Sequence, residues 1–304
     1  MQTVESVKRR IKTAEDLHSV VKTMKALAAV SIRQYEKAVE SLAEYNRTVE
    51  LGLQILLRKR PETLALLKPE TTNRVGAIVF GSDQGMCGQL NDQIVSHAVK
   101  TMDHLGISLE NRTLLAVGLR VGGRLEDAGQ PVEEYLSIPN STSGITPMVQ
   151  EIIMIIEEWR SRKKIDRVIL FFSEHLSGAS YRPHTLSLLP VKVEWLQTLE
   201  KREWPTRGLP TYSMDWNRLF SSLIRQFLFV SLYRAFAESL ASENASRLAS
   251  MQGAERNIEE RLIELNTQFH QQRQMSITEE LLDIVAGFEA LTGEEASMDG
   301  GKKV

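Results

Sequence analysis

The sequence predicts an α/β protein in which two long terminal helices pair around an inserted α/β domain. Three observations predict it. All nine prolines lie between Pro61 and Pro210, so both ends are free of the residue that breaks a helix interior by removing a hydrogen bond and clashing with the preceding turn. The first end carries an apolar seam at alternating spacings of three and four, the period of a helix that packs along another. The middle alternates short hydrophobic runs with helical stretches, an order that builds a sheet with parallel pairs.

Four segments follow: a coiled-coil helix over 1–60, an α/β domain over 61–212, a second coiled-coil helix over 213–293, and a loose tail over 294–304. In the first, the seam runs Val4, Val7, Ile11, Ala14, His18, Val21, Lys25, Ala28, Ile32, Tyr35, Val39, Leu42, Asn46, Val49, Leu53 and Leu56. Only His18, Lys25 and Asn46 interrupt it. A helix of roughly 55 residues, about 80 Å at 1.5 Å per residue, would leave that stripe wet without a partner. The last arm supplies one, with helical signals from about 214 to 291, a less regular heptad, small residues between Ala241 and Ala254, and Gly293 as a C-terminal stop. In the middle, 75–80, 114–117 and 168–172 read as buried strands, 92–105 and 147–162 as helices, and 185–189 as a further strand. The stretch 192–212, rich in Pro and Trp, leads back to the second arm.

Composition narrows the class. With 42% hydrophobic and 25% charged residues, the chain has the balance of a folded, water-soluble protein rather than a disordered or collagen-like one. Its net charge of −2 hides an asymmetry: residues 1–60 hold twelve Lys/Arg against seven Asp/Glu, while 215–304 hold nine against fourteen. Ends of opposite sign favour pairing. Cys87 is the only cysteine, so no intrachain disulfide forms and a reducing compartment is expected. The charged start lacks the apolar core of a signal peptide. The best apolar run, 227–232, falls far short of the ~20 residues that span a bilayer, so membrane contact is expected only through partners.

The sharpest local motif is 81–91, Gly-Ser-Asp-Gln-Gly-Met-Cys-Gly-Gln-Leu-Asn, between a strand and a helix. Glycines there can aim backbone N–H groups at a phosphate. It lacks, however, the Lys-Ser/Thr pair of a phosphate loop and the spacing of a dinucleotide loop, which favours a structural turn. The histidines, His18, His97, His104, His175, His184 and His270, are scattered without ligand spacing, so no metal is expected. Neither is a cofactor or a catalytic residue. The basic run Arg58, Lys59, Arg60 reads as a solvated helix end rather than a nucleic-acid site.

Three segments carry a family resemblance. Arg10-Ile11-Lys12 with 20–29 (Val-Val-Lys-Thr-Met-Lys-Ala-Leu-Ala-Ala), then 82–91, then 240–248 (Leu-Ala-Ser-Glu-Asn-Ala-Ser-Arg-Leu) and 273–287 (Arg-Gln-Met-Ser-Ile-Thr-Glu-Glu-Leu-Leu-Asp-Ile-Val-Ala-Gly) occur in order. Over nearly its whole length the chain resembles the γ subunit of F-type ATP synthases, the axle of the central stalk. The middle segment is similar to the family's Ser-Asp-Arg-Gly-Leu-Cys-Gly-Gly-Leu-Asn. Gln84 stands for the usual Arg, Gln89 for the usual Gly, and Phe288 for an Ala in the C-terminal signature, which suggests a divergent branch and leaves ion choice and regulation open.

The resemblance implies an antiparallel coiled coil with a Rossmann-like α/β insert, turning inside a ring of α and β subunits. It implies contacts with ε and the membrane c-ring, a place on the cytoplasmic side of a bacterial-type plasma membrane, and no chemistry of its own. Met24 matches the methionine that faces a β-subunit loop. Arg247, Arg273, Gln274 and Thr278 match polar positions of the coupling contact. Met24 as plain packing, and Arg247 paired only with Glu243 one turn away, stay open as alternatives. Two other classes also stay open: a nucleotide-binding enzyme with helical arms, marked by turnover in the purified chain, and a generic coiled-coil scaffold, marked by arms that self-associate.

Overall fold

The computed structural model describes residues 3–60, 73–205, 208 and 210–299, with side chains described as far as Phe288. Contacts divide the chain into two compact units, Met1–Met24 with Met251–Val304, and Lys25–Ser250.

Helix α1 spans Val4–Lys59. Thr3 caps its start, its Oγ1 accepting from the Ser6 N–H at 3.4 Å. Every seam position from Val4 to Leu56 is buried or half-buried, whereas Leu17, Val20, Leu27 and Val30, off the seam, are exposed. The heptad pattern therefore identifies the packed face.

In the Lys25–Ser250 unit, α1 is followed by β1 (Val75–Phe80), α2 (Leu90–His104), β2 (Arg112–Val117), α3 (Leu119–Asp127), β3 (Val132–Leu136), α4 (Ile145–Lys163), β4 (Arg167–Ser177), β5 (Ser180–Leu189) and α5 (Val193–Lys201). The last helix, α6 (Trp216–Asp299), begins there. Its first turn is capped by Asp215, whose Oδ1 accepts from the Arg218 N–H at 3.1 Å. The strands lie in the order β3-β2-β1-β4-β5. The first four are parallel, and β5 returns antiparallel on β4. Central β1 is buried at all six positions, as expected of a parallel strand covered on both faces.

Alternation along the strands splits the core into two layers. Ile78, Phe80, Leu115, Val117, Leu170 and Phe172 point to α4 and to Leu232, Phe236 and Leu240 of α6. Ala77, Val79, Leu114, Ala116, Ile169 and Phe171 point to Ile94, Val121 and Leu125 of α2 and α3. A third cluster joins Val49, Leu53 and Leu57 of α1 to Leu196 and Leu199 of α5, with Phe220 and Leu223 of α6 against them. Along this pair Tyr45 donates to Gln226 at 2.7 Å, Gly52 faces Leu223, and the Trp216 Nε1–H reaches the Leu56 carbonyl at 3.1 Å. Rising numbers on α1 meet falling numbers on α6, so the pair is antiparallel, as expected.

Several elements differ from the sequence reading. α3, β3 and α5 are additional, and the strand expected over 185–189 is the end of a ten-residue β5 that carries Pro183. That proline is tolerated because β5 is a sheet edge. Helix α6 does not stop at Gly293 but runs to Asp299, through part of the expected loose tail. A single glycine costs a helix only about 1 kcal/mol relative to alanine, too little to end one without a capping partner. Nor is the basic end of α1 merely solvated. Arg58 donates to the carbonyls of Glu200 and Arg202, and Lys59 and Arg60 lie over the Tyr212 and Trp216 rings at 4.3 and 5.6 Å.

Candidate functional site

The 81–91 segment leaves β1 and turns into α2, and its side chains are hydrogen-bonded to the fold around it. The Asn91 side chain closes the turn: its Oδ1 accepts from the Ser82 N–H at 3.0 Å and its Nδ2 donates to Ser82 Oγ at 2.8 Å. The Ser82 hydroxyl in turn reaches the Gln84 carbonyl at 2.9 Å. Asp83 bridges outward, Oδ1 accepting from Leu119 N–H and Oδ2 from Ile138 N–H, both at 2.8 Å. The first of those donors opens α3. Gly118, which occupies the capping position of that helix, has φ 118°, and a Cβ there would lie 2.8 Å from the Ser82 carbonyl oxygen. No side chain fits, so the helix takes its capping carboxylate from Asp83. These bonds describe a structural turn, the reading the sequence favoured over a phosphate cradle.

Helix α6 is fastened to the same turn. Ser246 Oγ donates to the Cys87 carbonyl at 2.5 Å, and Ser242 Oγ to the Ser173 carbonyl of β4 at 2.8 Å. Gly88 sits under this contact with φ 56°, where a Cβ would meet Ser246 Oγ at 3.2 Å. One turn of α6 carries the buried Glu243, whose Oε1 accepts from Arg247 Nη2 at 2.6 Å. Burial pushes the Glu243 carboxyl above the usual carboxylate range, Arg247 opposes that shift, and the Asp83 charge adds to it.

The folded state holds the Glu243 proton more tightly than the unfolded chain, so this contribution is complete below the ordinary glutamate value of about 4.5 and is lost as pH rises through the raised value. Glu243→Gln removes the titration. The thermal midpoint of the variant relative to the parent is therefore expected to climb as pH rises above about 4.5. Parallel melting curves across pH test it, and a constant difference would sink it.

The five residues singled out by resemblance are placed as follows. Arg247 is not a free surface donor: its side chain is 12% exposed and paired with Glu243, with only its Nε lacking a hydrogen-bond partner. Met24 is half-buried on α1. Arg273, Gln274 and Thr278 are exposed on α6 and lie close together, the Thr278 hydroxyl donating to the Gln274 carbonyl at 2.9 Å. Met24 falls with these three in the unit of Met1–Met24 and Met251–Val304, and Arg247 in the other. Sequence reasoning missed the anchoring roles of Asp83, Ser242 and Ser246, which depend on partners dozens of residues away. Among the scattered histidines, the fold sets His18 beside Glu255 and Glu259.

Around Met275, Ile277, Leu281, Leu282, Ile284, Val285 and Phe288, α6 exposes large apolar side chains, each 49–68% accessible. At 100° per residue they cover about half of the helix circumference.

Comparison with known proteins matches this architecture. The family model described as ATP synthase matches residues 3–291. The ATP synthase gamma chain of a Nostoc species is 28% identical, covering 96% of this chain and all of that one, and that of Heliobacterium modesticaldum is 26% identical with the same coverage. Among solved structures, a chain of the rotor of the Euglena gracilis mitochondrial ATP synthase superimposes with TM-score 0.60 at 15% identity, covering 90% of this chain and 98% of that one. A chain of the Tetrahymena thermophila central stalk and c-ring structure gives 0.55 at 22%, covering 77% and 99%. Taken with the paired terminal helices and the inserted sheet, the match along nearly the whole length shows that the chain belongs to the ATP synthase family, as a gamma subunit of the central stalk.

Proposed function

We propose that the chain is the rotor axle of an F-type ATP synthase or ATPase, coupling ion flow through a membrane c-ring to ATP synthesis or hydrolysis at a ring of α and β subunits, without taking part in the phosphoryl chemistry. The observation that carries this reading is the exposed apolar face of α6 from Met275 to Val285. A helix end with so much apolar surface in water calls for an enclosing partner. Among the described residues no helix is long and apolar enough to cross a membrane, which fits a subunit peripheral to the cytoplasmic side of a bacterial-type plasma membrane that meets the bilayer only through the c-ring, with ε beside it.

An asymmetric axle acts by differential contact. Each orientation favours a different conformation of the neighbouring catalytic subunit, by no more than the difference in contact free energy between those conformations. Met24, Arg273, Gln274 and Thr278 would make the polar and apolar coupling contacts, and Arg247 would offer its Nε while staying paired with Glu243. Replacing Arg273, Gln274 and Thr278 together by alanine keeps helix propensity and, among the described residues, removes the Thr278 back-bond to the Gln274 carbonyl. The assembled complex is expected to form but to lose most of its rotation-linked ATP turnover and ion pumping. Unchanged turnover and pumping would refute the coupling contact. Turnover in the purified chain alone would refute the axle reading in favour of an enzyme.

A further inference from the structure

In the unit formed by Met1–Met24 and Met251–Val304, α1 and α6 bring three metal-ligating side chains to one place. Glu255 and Glu259 are four residues apart, which puts both carboxylates on one face of α6. His18 faces them from α1, and one ligand atom from each of the three lies within 4.8 Å of the others. His18 Nε2 is 3.4 Å from Glu259 Oε1. That nitrogen is buried, yet it has no hydrogen-bond partner, so the close approach to Glu259 is not a hydrogen bond that satisfies it. A buried ring nitrogen without a hydrogen bond, held beside two carboxylates, costs free energy unless a cation or a proton lies between them.

We infer that His18, Glu255 and Glu259 form a binding site for a first-row divalent transition metal, Zn2+ in particular, that ties α1 to α6. One imidazole nitrogen and two carboxylate oxygens supply three ligands, and water completes a tetrahedron. Bonds of roughly 2 Å set tetrahedral ligand atoms roughly 3.3 Å apart, close to the 3.4 Å between His18 Nε2 and Glu259 Oε1. The carboxylates sit on flexible stems, and Glu259 is 56% exposed, so an ion can enter from water. The nitrogen in the set selects against Mg2+, which prefers an all-oxygen octahedron. The site stands on this geometry and not on the axle reading.

The test uses the full chain, stripped of metal with a chelator. Zn2+ titrated by calorimetry is expected to bind one ion per chain, with excess Mg2+ failing to compete, and Co2+ is expected to give the strong visible absorption of a four-coordinate site. His18→Ala and Glu259→Gln should each weaken Zn2+ binding tenfold or more and abolish the Co2+ bands, whereas His97→Ala should leave both unchanged. Zn2+ should also raise the thermal midpoint of the parent and not of the His18 variant. If His18→Ala does not fold, Glu255→Gln carries the same expectation. Absence of one-to-one binding up to about 1 mM Zn2+, or binding that survives His18→Ala or Glu259→Gln, would overturn the site. A pH-dependent gain in stability from His18 that is indifferent to Zn2+ would also overturn it, in favour of a simple His–Glu ion pair.

Discussion

Replacing Phe236 by alanine is expected to lower the stability of the chain by about 3–5 kcal/mol, the usual cost of removing a buried phenyl ring and leaving a cavity. Phe236 of α6 is 1% exposed and meets Phe80 edge-on, with ring centroids 4.9 Å apart at 80°. Phe80 is the last residue of the central strand and stands immediately before the turn that anchors α6 through Ser246. Loss of the ring therefore loosens the helix from the sheet at the point where the two are joined. Urea denaturation of the purified chain checks it. Ile263→Ala is the control, since Ile263 is 69% exposed and its truncation should stay within about 0.5 kcal/mol of the parent. Equal midpoints for Phe236→Ala and the control would show that the α6 face of the sheet is not packed as described.

Asp83→Leu is expected to cost roughly 2–4 kcal/mol, because it removes two hydrogen bonds to a charged acceptor. It also leaves the Leu119 N–H at the start of α3 without its acceptor, at a position where Gly118 has no room for a capping side chain. Asp83→Asn should fall between the two: its amide oxygen can still accept one N–H, but its NH2 then faces the other donor. Amide hydrogen exchange at Leu119 and Ile138 gives the local readout. Both amides should exchange faster in Asp83→Leu. Protection equal to the parent at both would mean that the bridge does not hold the ends of β2 and β3 together.

The arms were legible in the sequence because their signal is periodic and long. Sixty proline-free residues and a seam of threes and fours leave little choice, and the exposed Leu17 and Leu27 fall outside that seam as it requires. The central strands were legible as continuous apolar runs. What escaped was locally ambiguous. β3, Val132–Leu136, is a half-exposed edge strand with two adjacent glutamates. Helix α3 contains Gly122 and Gly123, the first packed where a Cβ would strike the Tyr135 ring at 2.3 Å; tertiary contact overrides their poor helix propensity. β5 begins five residues before the expected 185–189 strand and runs through Pro183, a residue tolerated at a sheet edge.

At the 81–91 turn the sequence marked the segment but not its bonds. Ser82, Asp83, Cys87 and Asn91, which agree with the family pattern, all make buried or bridging contacts. Gln84 and Gln89, which depart from it, have exposed side chains. The departures thus fall where the turn makes no demand on the side chain. His18 illustrates the opposite limit: its partners lie on the other terminal helix, more than two hundred residues away along the chain, and no spacing rule within one helix reaches them.

The antiparallel pairing of the first helix with the last also fixes an order of events during synthesis. Val49, Leu53 and Leu57 are packed against Phe220 and Leu223 in the finished chain, yet the ribosome makes them first. At roughly 5–20 residues per second, the intervening stretch takes on the order of ten seconds to emerge, during which the seam of α1 lacks its α6 partner. The sheet residues that follow can begin to collapse around Phe80 and Trp159, but the arm itself must wait for the far end of its own polypeptide. A nascent chain of this design presents an apolar stripe until the start of α6 emerges, the kind of transiently exposed surface for which chaperones exist.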